Sequence, residues 1–139
     1  MKLTKLIFVS VLFTSLIMVS CGKNTEPDRF KKIVSDSSWR IGRAQVGTQN
    51  KTSDFNNYVF RFKYGKDIEV IHELDTVLGT WNHGNAKKPL LFYMNFSQQV
   101  PSKFFTLDDD WVVVYLTKDE FRLERNDSSE DEIIFRKKV

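Results

Sequence analysis

Residues 58–64, Tyr-Val-Phe-Arg-Phe-Lys-Tyr, place an aromatic side chain at every second position. Successive side chains of a β-strand point to opposite faces, so these four aromatic rings would share one face. Arg61 and Lys63 would lie on the other face, in solvent. This alternation predicts a half-buried strand and therefore a sheet with one apolar, enclosed face.

The same period of two recurs on both sides of this segment, from Ser38 to the C-terminal region. Short strands at this spacing, joined mostly by short turns, predict an antiparallel sandwich or barrel, and closure into a barrel removes the exposed sheet edges. The eight strand candidates are residues 38–42, 58–64, 67–70, 77–81, 90–96, 111–116, 121–125 and 133–136.

A short amphipathic helix is predicted before the first strand, over residues 27–36. Thr25 can cap it, Pro27 suits its first turn, and Phe30, Ile33 and Val34 follow at helical spacing. The fold predicted for the chain is therefore all-β, an eight-stranded antiparallel barrel preceded by one short α-helix.

The first 20 residues have the layout of a secretory signal. Lys2 and Lys5 give a basic start, an apolar run follows to Val19, and the small residue Ser20 precedes Cys21. The apolar run is short for a membrane span. Cys21 is the chain's one cysteine, so a disulfide within the chain is excluded.

Charge and size limit the classes of function. The formal net charge of +3 falls to nearly zero without Lys2 and Lys5, which argues against a nucleic-acid partner. Residues 21–139 have the size of one domain.

The leader resembles the signal of a bacterial lipoprotein, in which a small residue precedes a cysteine that is acylated and becomes the new N-terminus. The resemblance implies lipid on Cys21 and, because Gly22 rather than Asp follows, an outer-membrane location in the cell envelope. The expected domains are a cleaved signal at 1–20, a lipidated tether at 21–27 and a barrel at 28–139.

Residues 37–138 resemble the small lipocalin-like domains of bacterial lipoproteins. The shared features are Trp39 in a first strand after a short helix, the aromatic strand 57–62, Gly79-Thr80-Trp81, residues 107–113 and the closing hairpin at 121–123. The resemblance implies an up-and-down barrel open at one end. Ser37 stands where a lipocalin carries Gly, and the chain is short, so a large cavity is not implied.

A barrel of eight strands is either filled by its side chains or holds one small apolar ligand. Core packing is the commoner use of inward aromatic residues. Trp39 and Ile41 lead the inward set, which also includes Val113 and Tyr115. The candidate ligand-binding residues are Trp39, Tyr58, Phe60, Phe62, Trp81, Phe92, Met94 and Trp111.

The remaining polar motifs predict no catalytic site and no cofactor. Asp108, Asp109 and Asp110 lack the spacing of a calcium loop, so a solvated, backbone-turning role is expected. His72 and His83 are too few for zinc. Arg122 and Arg125 are expected on the solvent face. No nucleophile motif or phosphate loop is present in the sequence.

Two functions follow as hypotheses. In the first, a membrane-anchored, non-enzymatic binding module holds a small hydrophobic ligand or contacts an envelope partner. In the second, a solid barrel serves as an accessory protein of an envelope complex. Its contact would be the 97–110 loop, unless Phe104, Phe105 and Leu107 instead cover one end of the barrel.

Overall fold

A computed structural model describes residues 26–127 and 129–139; the predicted signal peptide and Cys21 lie outside the described residues. The helix is α1, Glu26–Ser35, and two 3₁₀ turns lie at Thr52–Phe55 and Ser102–Thr106. The strands are β1 Ser38–Val46, β2 Gln49–Asn50, β3 Val59–Phe62, β4 Asp67–His72, β5 Asp75–His83, β6 Leu91–Phe96, β7 Asp110–Leu116, β8 Glu120–Arg125 and β9 Glu132–Lys137.

The sheet closes on itself because β1 pairs with both β3 and β9. Trp39 lies in register with Phe60 on one side and with Lys137 on the other. From β3 to β9, each strand pairs with the next strand in the sequence, and all pairs are antiparallel. The two-residue β2 only folds back on the end of β1. The predicted eight-stranded up-and-down barrel with one short preceding helix is confirmed.

Helix α1 closes the end of the barrel at which β1 begins, here called the helix end. Phe30 and Val34, four residues apart on one face, are fully buried, while Asp28, Arg29 and Lys32 remain exposed. The indole of Trp39 donates a hydrogen bond of 2.9 Å to the Val34 carbonyl and so fixes the helix to β1. The helix begins and ends one residue earlier than the predicted 27–36.

The opposite end, here called the far end, is covered by the two 3₁₀ turns. Phe55 comes from the first turn and Phe104 from the second, and their ring centroids lie 5.9 Å apart. Leu107, just after the second turn, is fully buried beside them. The expectation of a barrel open at one end is therefore wrong for this chain, because segments outside the strands fill both ends.

A β-bulge in β7 changes which side chains face inward. The register of β7 with β8 shifts between Val113 and Tyr115, so Leu116 rather than Tyr115 pairs with the buried Phe121. Tyr115 is 45% exposed and lies under the guanidinium of Arg122, 4.7 Å from the ring centroid. The prediction that Tyr115 faces inward is wrong, because the extra residue reverses the alternation.

Gly79 on β5 permits a close approach to β6. A Cβ atom at this position would lie 2.7 Å from the Asn95 carbonyl oxygen and 2.7 Å from the ring of Phe96. The buried Phe96 occupies the space that a side chain would take. The glycine of the Gly79-Thr80-Trp81 motif is thus a packing requirement.

We expect Gly79→Ala to lower the free energy of unfolding by about 1–3 kcal/mol, the usual range for overpacking. One of the clashing atoms belongs to the backbone, so β5 and β6 must move apart. Gly65→Ala is the matched control, because a Cβ there meets open space. Urea unfolding followed by tryptophan fluorescence measures both; equal stability of the two variants would contradict this packing role.

On the outer wall, Glu120 joins β8 to β9. Its carboxylate accepts hydrogen bonds from Arg122 Nε at 2.6 Å and Arg136 Nε at 3.2 Å. The bond from Arg122, aided by that from Arg136, holds the pKa of Glu120 below its usual value. These two contacts stabilise the fold at pH values above the ordinary carboxyl pKa. The stabilisation is lost as the pH falls through the lowered pKa of Glu120.

The variant Glu120→Gln should therefore be less stable than the wild type at pH 7, by about 0.5 kcal/mol because solvent screens the site. The gap should narrow in acid, since the wild-type carboxylate gains its proton as the pH falls through the lowered pKa. Urea unfolding at pH 7 and at pH 3 measures it. A gap that stays constant or widens in acid would show that the ion pairs do not contribute.

Candidate functional site

The lumen is the first candidate site, because the sequence placed its ligand residues there. Seven of those eight side chains are inside and at most 2% exposed. The exception is Tyr58, which precedes β3 and lies half-buried at the far end. The seven buried residues are Trp39, Phe60, Phe62, Trp81, Phe92, Met94 and Trp111.

The interior near the helix end is filled by aromatic rings in mutual contact. Phe121 is at the centre, with its ring centroid 4.7 Å from that of Phe135 and 4.8 Å from that of Trp39. Phe62 and Phe92 lie 6.1 Å from it on other sides. Phe30 of α1 completes the group at 5.8 Å. These separations are those of contacting aromatic pairs, so the rings leave little space for a ligand among them.

The indole N–H of each tryptophan in the barrel donates a hydrogen bond to a backbone carbonyl of the same chain. Trp39 donates to Val34, Trp81 to the Lys63 carbonyl at 2.9 Å, and Trp111 to the Leu107 carbonyl at 3.0 Å. A buried ligand site needs a few polar groups aimed into it. The tryptophans provide none, because their donors fasten α1, the β3–β4 turn and the second 3₁₀ turn to the barrel.

Tyr58 belongs to a surface cluster at the far end. Its ring stacks on that of His72 at 4.5 Å, and the ring of Phe104 meets it edge-on at 5.5 Å. The Lys103 ammonium lies 4.4 Å from the Tyr58 centroid, a cation–π distance. Tyr58 therefore packs the 3₁₀ turn at Ser102–Thr106 against β4. It lies half-buried at the rim of the barrel and packs against the core there.

The 97–110 segment divides its apolar residues between two roles. Phe104 and Leu107 are fully buried and cover the far end, as the alternative interpretation held. Phe105 is 43% exposed and borders an open surface groove of about 680 Å³. At the tip of the β4–β5 hairpin, on the same end, Leu74 is fully exposed. Phe105 and Leu74 are thus the apolar side chains that the far end presents to solvent.

The acidic run shapes the backbone. Asp108 accepts a hydrogen bond of 2.7 Å from the Phe96 amide, which fastens the loop to β6. Asp109 accepts one from the amide of Asp110 and lies 3.2 Å from Arg125 Nη2. Both carboxylates thus bond to backbone amides, Asp109 locally and Asp108 across to β6.

Arg125 and Asp131 form a largely buried ion pair at the far end. Asp131 is 5% exposed; one carboxylate oxygen accepts a 2.6 Å hydrogen bond from the Gly47 amide, and the other lies 3.0 Å from Arg125 Nε. The second contact is ionic, since its geometry is not that of a directed hydrogen bond. Arg125 was expected in solvent, but it follows Phe121 and Leu123 in the inward phase of β8 and lies over Trp111.

We expect Asp131→Ala to lower the free energy of unfolding by about 2 kcal/mol, because the Gly47 amide and Arg125 both lose a buried partner. This loss of stability is smaller than for a fully buried ion pair. Arg125 is partly exposed and retains its ion pair with Asp109 in the variant. Glu130→Ala, at the exposed neighbouring position, should change stability by less than about 0.5 kcal/mol. Thermal unfolding of both variants checks this; equal melting temperatures would contradict it.

Metal and catalytic groupings do not form in the described part of the chain. His72 is at the far end and His83 near the helix end, where its Nδ1 lies 2.9 Å from the Gly84 carbonyl. Within residues 26–127 and 129–139, no three His, Cys, Asp or Glu side chains converge on a metal-sized site. No helix in the same residues is long and apolar enough to cross a bilayer.

The architecture defines the class of protein: a small, closed, eight-stranded antiparallel barrel with one short helix in front of it. Among solved structures, the chain is similar to a DUF4847 family protein from Bacteroides vulgatus. The TM-score is 0.55, and 77% of this chain and 96% of that chain are covered. At 14% identity, the likeness shows a shared fold. No protein-family model matches the chain, and no curated protein sequence matches it.

Proposed function

We propose that this protein is a bacterial lipoprotein of the outer membrane, whose barrel is a non-enzymatic binding module for an envelope partner protein. The anchor is lipid on Cys21, and the binding surface is the far end. The partner has a basic face around an apolar contact.

The packed interior is the observation that carries this proposal. The aromatic rings pack against one another, and the tryptophan N–H groups donate to backbone carbonyls. The binding surface for a partner is therefore on the outside of the barrel. At the far end, the exposed Phe105 and Leu74 stand among acidic loops that include Asp54, Glu73 and Glu130. Acidic side chains outnumber basic ones in these loops, and an apolar contact amid charge of mainly one sign is typical of a protein interface.

The anchor is tested by the mass of the mature chain from membranes of the producing cell. The expected chain begins at Cys21 and carries diacylglycerol plus an acyl group, whereas Cys21→Ser leaves the signal uncleaved and the chain without lipid. Two or three acyl chains hold a protein on a bilayer almost permanently, since each buried CH₂ contributes about 0.8 kcal/mol. A mature chain that is unmodified or begins elsewhere would overturn the anchor.

The binding surface is tested by photo-crosslinking in intact cells from a benzoylphenylalanine at Phe105. A protein crosslinked from Phe105 supports the proposal if Leu74→Ser and the charge removal Glu73→Gln/Glu130→Gln both reduce the yield. It must also be absent when the same probe replaces Tyr64 at the helix end. Equal capture from both ends would refute a far-end interface.

The small hydrophobic ligand stays an alternative prediction for the lumen. Native mass spectrometry of the purified chain distinguishes the two functions. A copurified apolar molecule that is lost in Phe62→Trp, which would fill the remaining space, would support the ligand function and count against the partner function.

A further inference from the structure

The two ends of the barrel carry opposite charge. In the described residues, the helix end comprises α1 with residues 36–37, the connections at 63–66, 84–90 and 117–119, and residues 138–139. These segments hold nine basic and four acidic side chains. The far end comprises the connections at 47–58, 73–74, 97–109 and 126–131, with two basic and seven acidic side chains.

The positive charge at the helix end is accessible. Lys66, Lys87, Lys88, Lys118 and Lys138 are all exposed, and the ion pairs formed among the described residues involve none of them. They come from three separate connections and the C-terminal segment around one rim. Such a ring of ammonium groups is a surface for negative charge.

An amphipathic aromatic residue accompanies these lysines. Tyr64, in the β3–β4 turn, is 66% exposed, and the Lys31 ammonium lies 3.9 Å from its ring centroid. Tyrosine beside lysine is the combination that is enriched where proteins meet the headgroup region of a bilayer. The helix end therefore offers both charge and an interfacial side chain.

The chain outside the structure leads away from this same end. The first described residue, Glu26, begins α1, and five positions separate it from Cys21. At roughly 3.3 Å per residue, an extended tether of that length reaches about 17 Å. If Cys21 is anchored in lipid, the helix end must lie near the membrane, and its lysines come within one or two screening lengths of the headgroups, about 8 Å each at physiological salt.

We infer that the helix end docks on an anionic lipid surface, so that the barrel stands on the bilayer with its acidic far end directed outward. This inference rests on the proposed anchoring for its geometry, but the basic rim provides its own attraction. Anionic headgroups attract clustered Lys and Arg near a surface, and the acidic far end is repelled. Docking thus orients the far end toward a partner in the aqueous phase.

The test places a benzoylphenylalanine crosslinker at Tyr64 or at Leu74 in the full chain, purified from membranes and mixed with vesicles. On vesicles of phosphatidylglycerol and phosphatidylcholine, lipid crosslinking from position 64 should exceed that from position 74 about fivefold or more. The excess should fall several-fold on phosphatidylcholine alone and at 1 M salt, where screening acts within about 3 Å and the tether is all that keeps the helix end near the bilayer. Equal yields from the two positions, or an excess unaffected by lipid charge, would overturn the inference.

Charge variants make the test specific. Lys87→Glu/Lys118→Glu should reduce the position-64 yield on anionic vesicles several-fold, whereas Lys87→Arg/Lys118→Arg should retain it. Equal yields from both variants would contradict docking through the basic rim. The mass of the chain in the same preparation shows separately whether Cys21 carries lipid. A chain without lipid that still shows the charge-dependent excess would reject the anchor and keep the docking surface.

Discussion

Replacing Phe121 with alanine is expected to lower the free energy of unfolding by about 3–5 kcal/mol, the largest effect we expect from one substitution. The side chain is fully buried and its ring contacts those of Phe30, Trp39, Phe62, Phe92 and Phe135. These partners come from α1 and from four strands, so they cannot all collapse into the vacated space. Urea unfolding followed by circular dichroism measures the loss.

Phe105→Ala is the matched control, because it removes the same atoms from an exposed position. A surface substitution of this kind usually changes stability by less than about 0.5 kcal/mol. If Phe121→Ala were as mild as its control, the aromatic interior would be loose, and a lumen able to admit a ligand would become the better account.

The second large effect is expected at the closing helix. Phe30→Ala should lower the free energy of unfolding by about 3–4 kcal/mol, because a fully buried phenylalanine leaves the aromatic group. A ten-residue helix is marginal by itself in water, so α1 depends on this contact to stay folded. Hydrogen exchange should show faster exchange of the α1 amides than of the strand amides in this variant.

The control on the same helix is Lys32→Ala, at an exposed position. It should leave both the stability and the exchange of α1 nearly unchanged. Slow exchange of α1 in Phe30→Ala, equal to the wild type, would mean that the helix is held by something other than its apolar face.

The barrel was predictable because the alternation of side chains within each strand shows which of them face the core. In the 58–64 segment an aromatic side chain alternates with Arg61 and Lys63, and Phe60 and Phe62 do face inward. Each such strand buries one face, which fixes its register and its neighbours. The helix was predictable for the same reason at a different period, from Phe30 and Val34.

The β7 bulge could not be predicted, because Val112, Val113 and Val114 carry no alternation to show where the phase changes. The position of Tyr115 depended on that point. Alternation alone therefore assigns a side chain to a face only as far as the next irregularity.

The closed far end was also beyond the sequence pattern. Phe55 lies in a short polar segment with no periodicity of its own, and only its contact with Phe104 makes it a cover. Arg125 and Asp131 look like solvent-facing charges until the β8–β9 hairpin brings them together. The polarity of the two ends was hidden for a similar reason: total charge is near zero, and only the topology separates its parts.

The central claim is that side chains fill this barrel and that recognition takes place outside it. Xenon enters apolar cavities in protein crystals, so its position reports directly on empty interior space. In crystals of the wild type under xenon pressure, we expect no bound atom among Phe62, Phe92 and Phe121. Phe121→Ala should show one at the vacated ring, and xenon in the wild-type lumen would contradict the account.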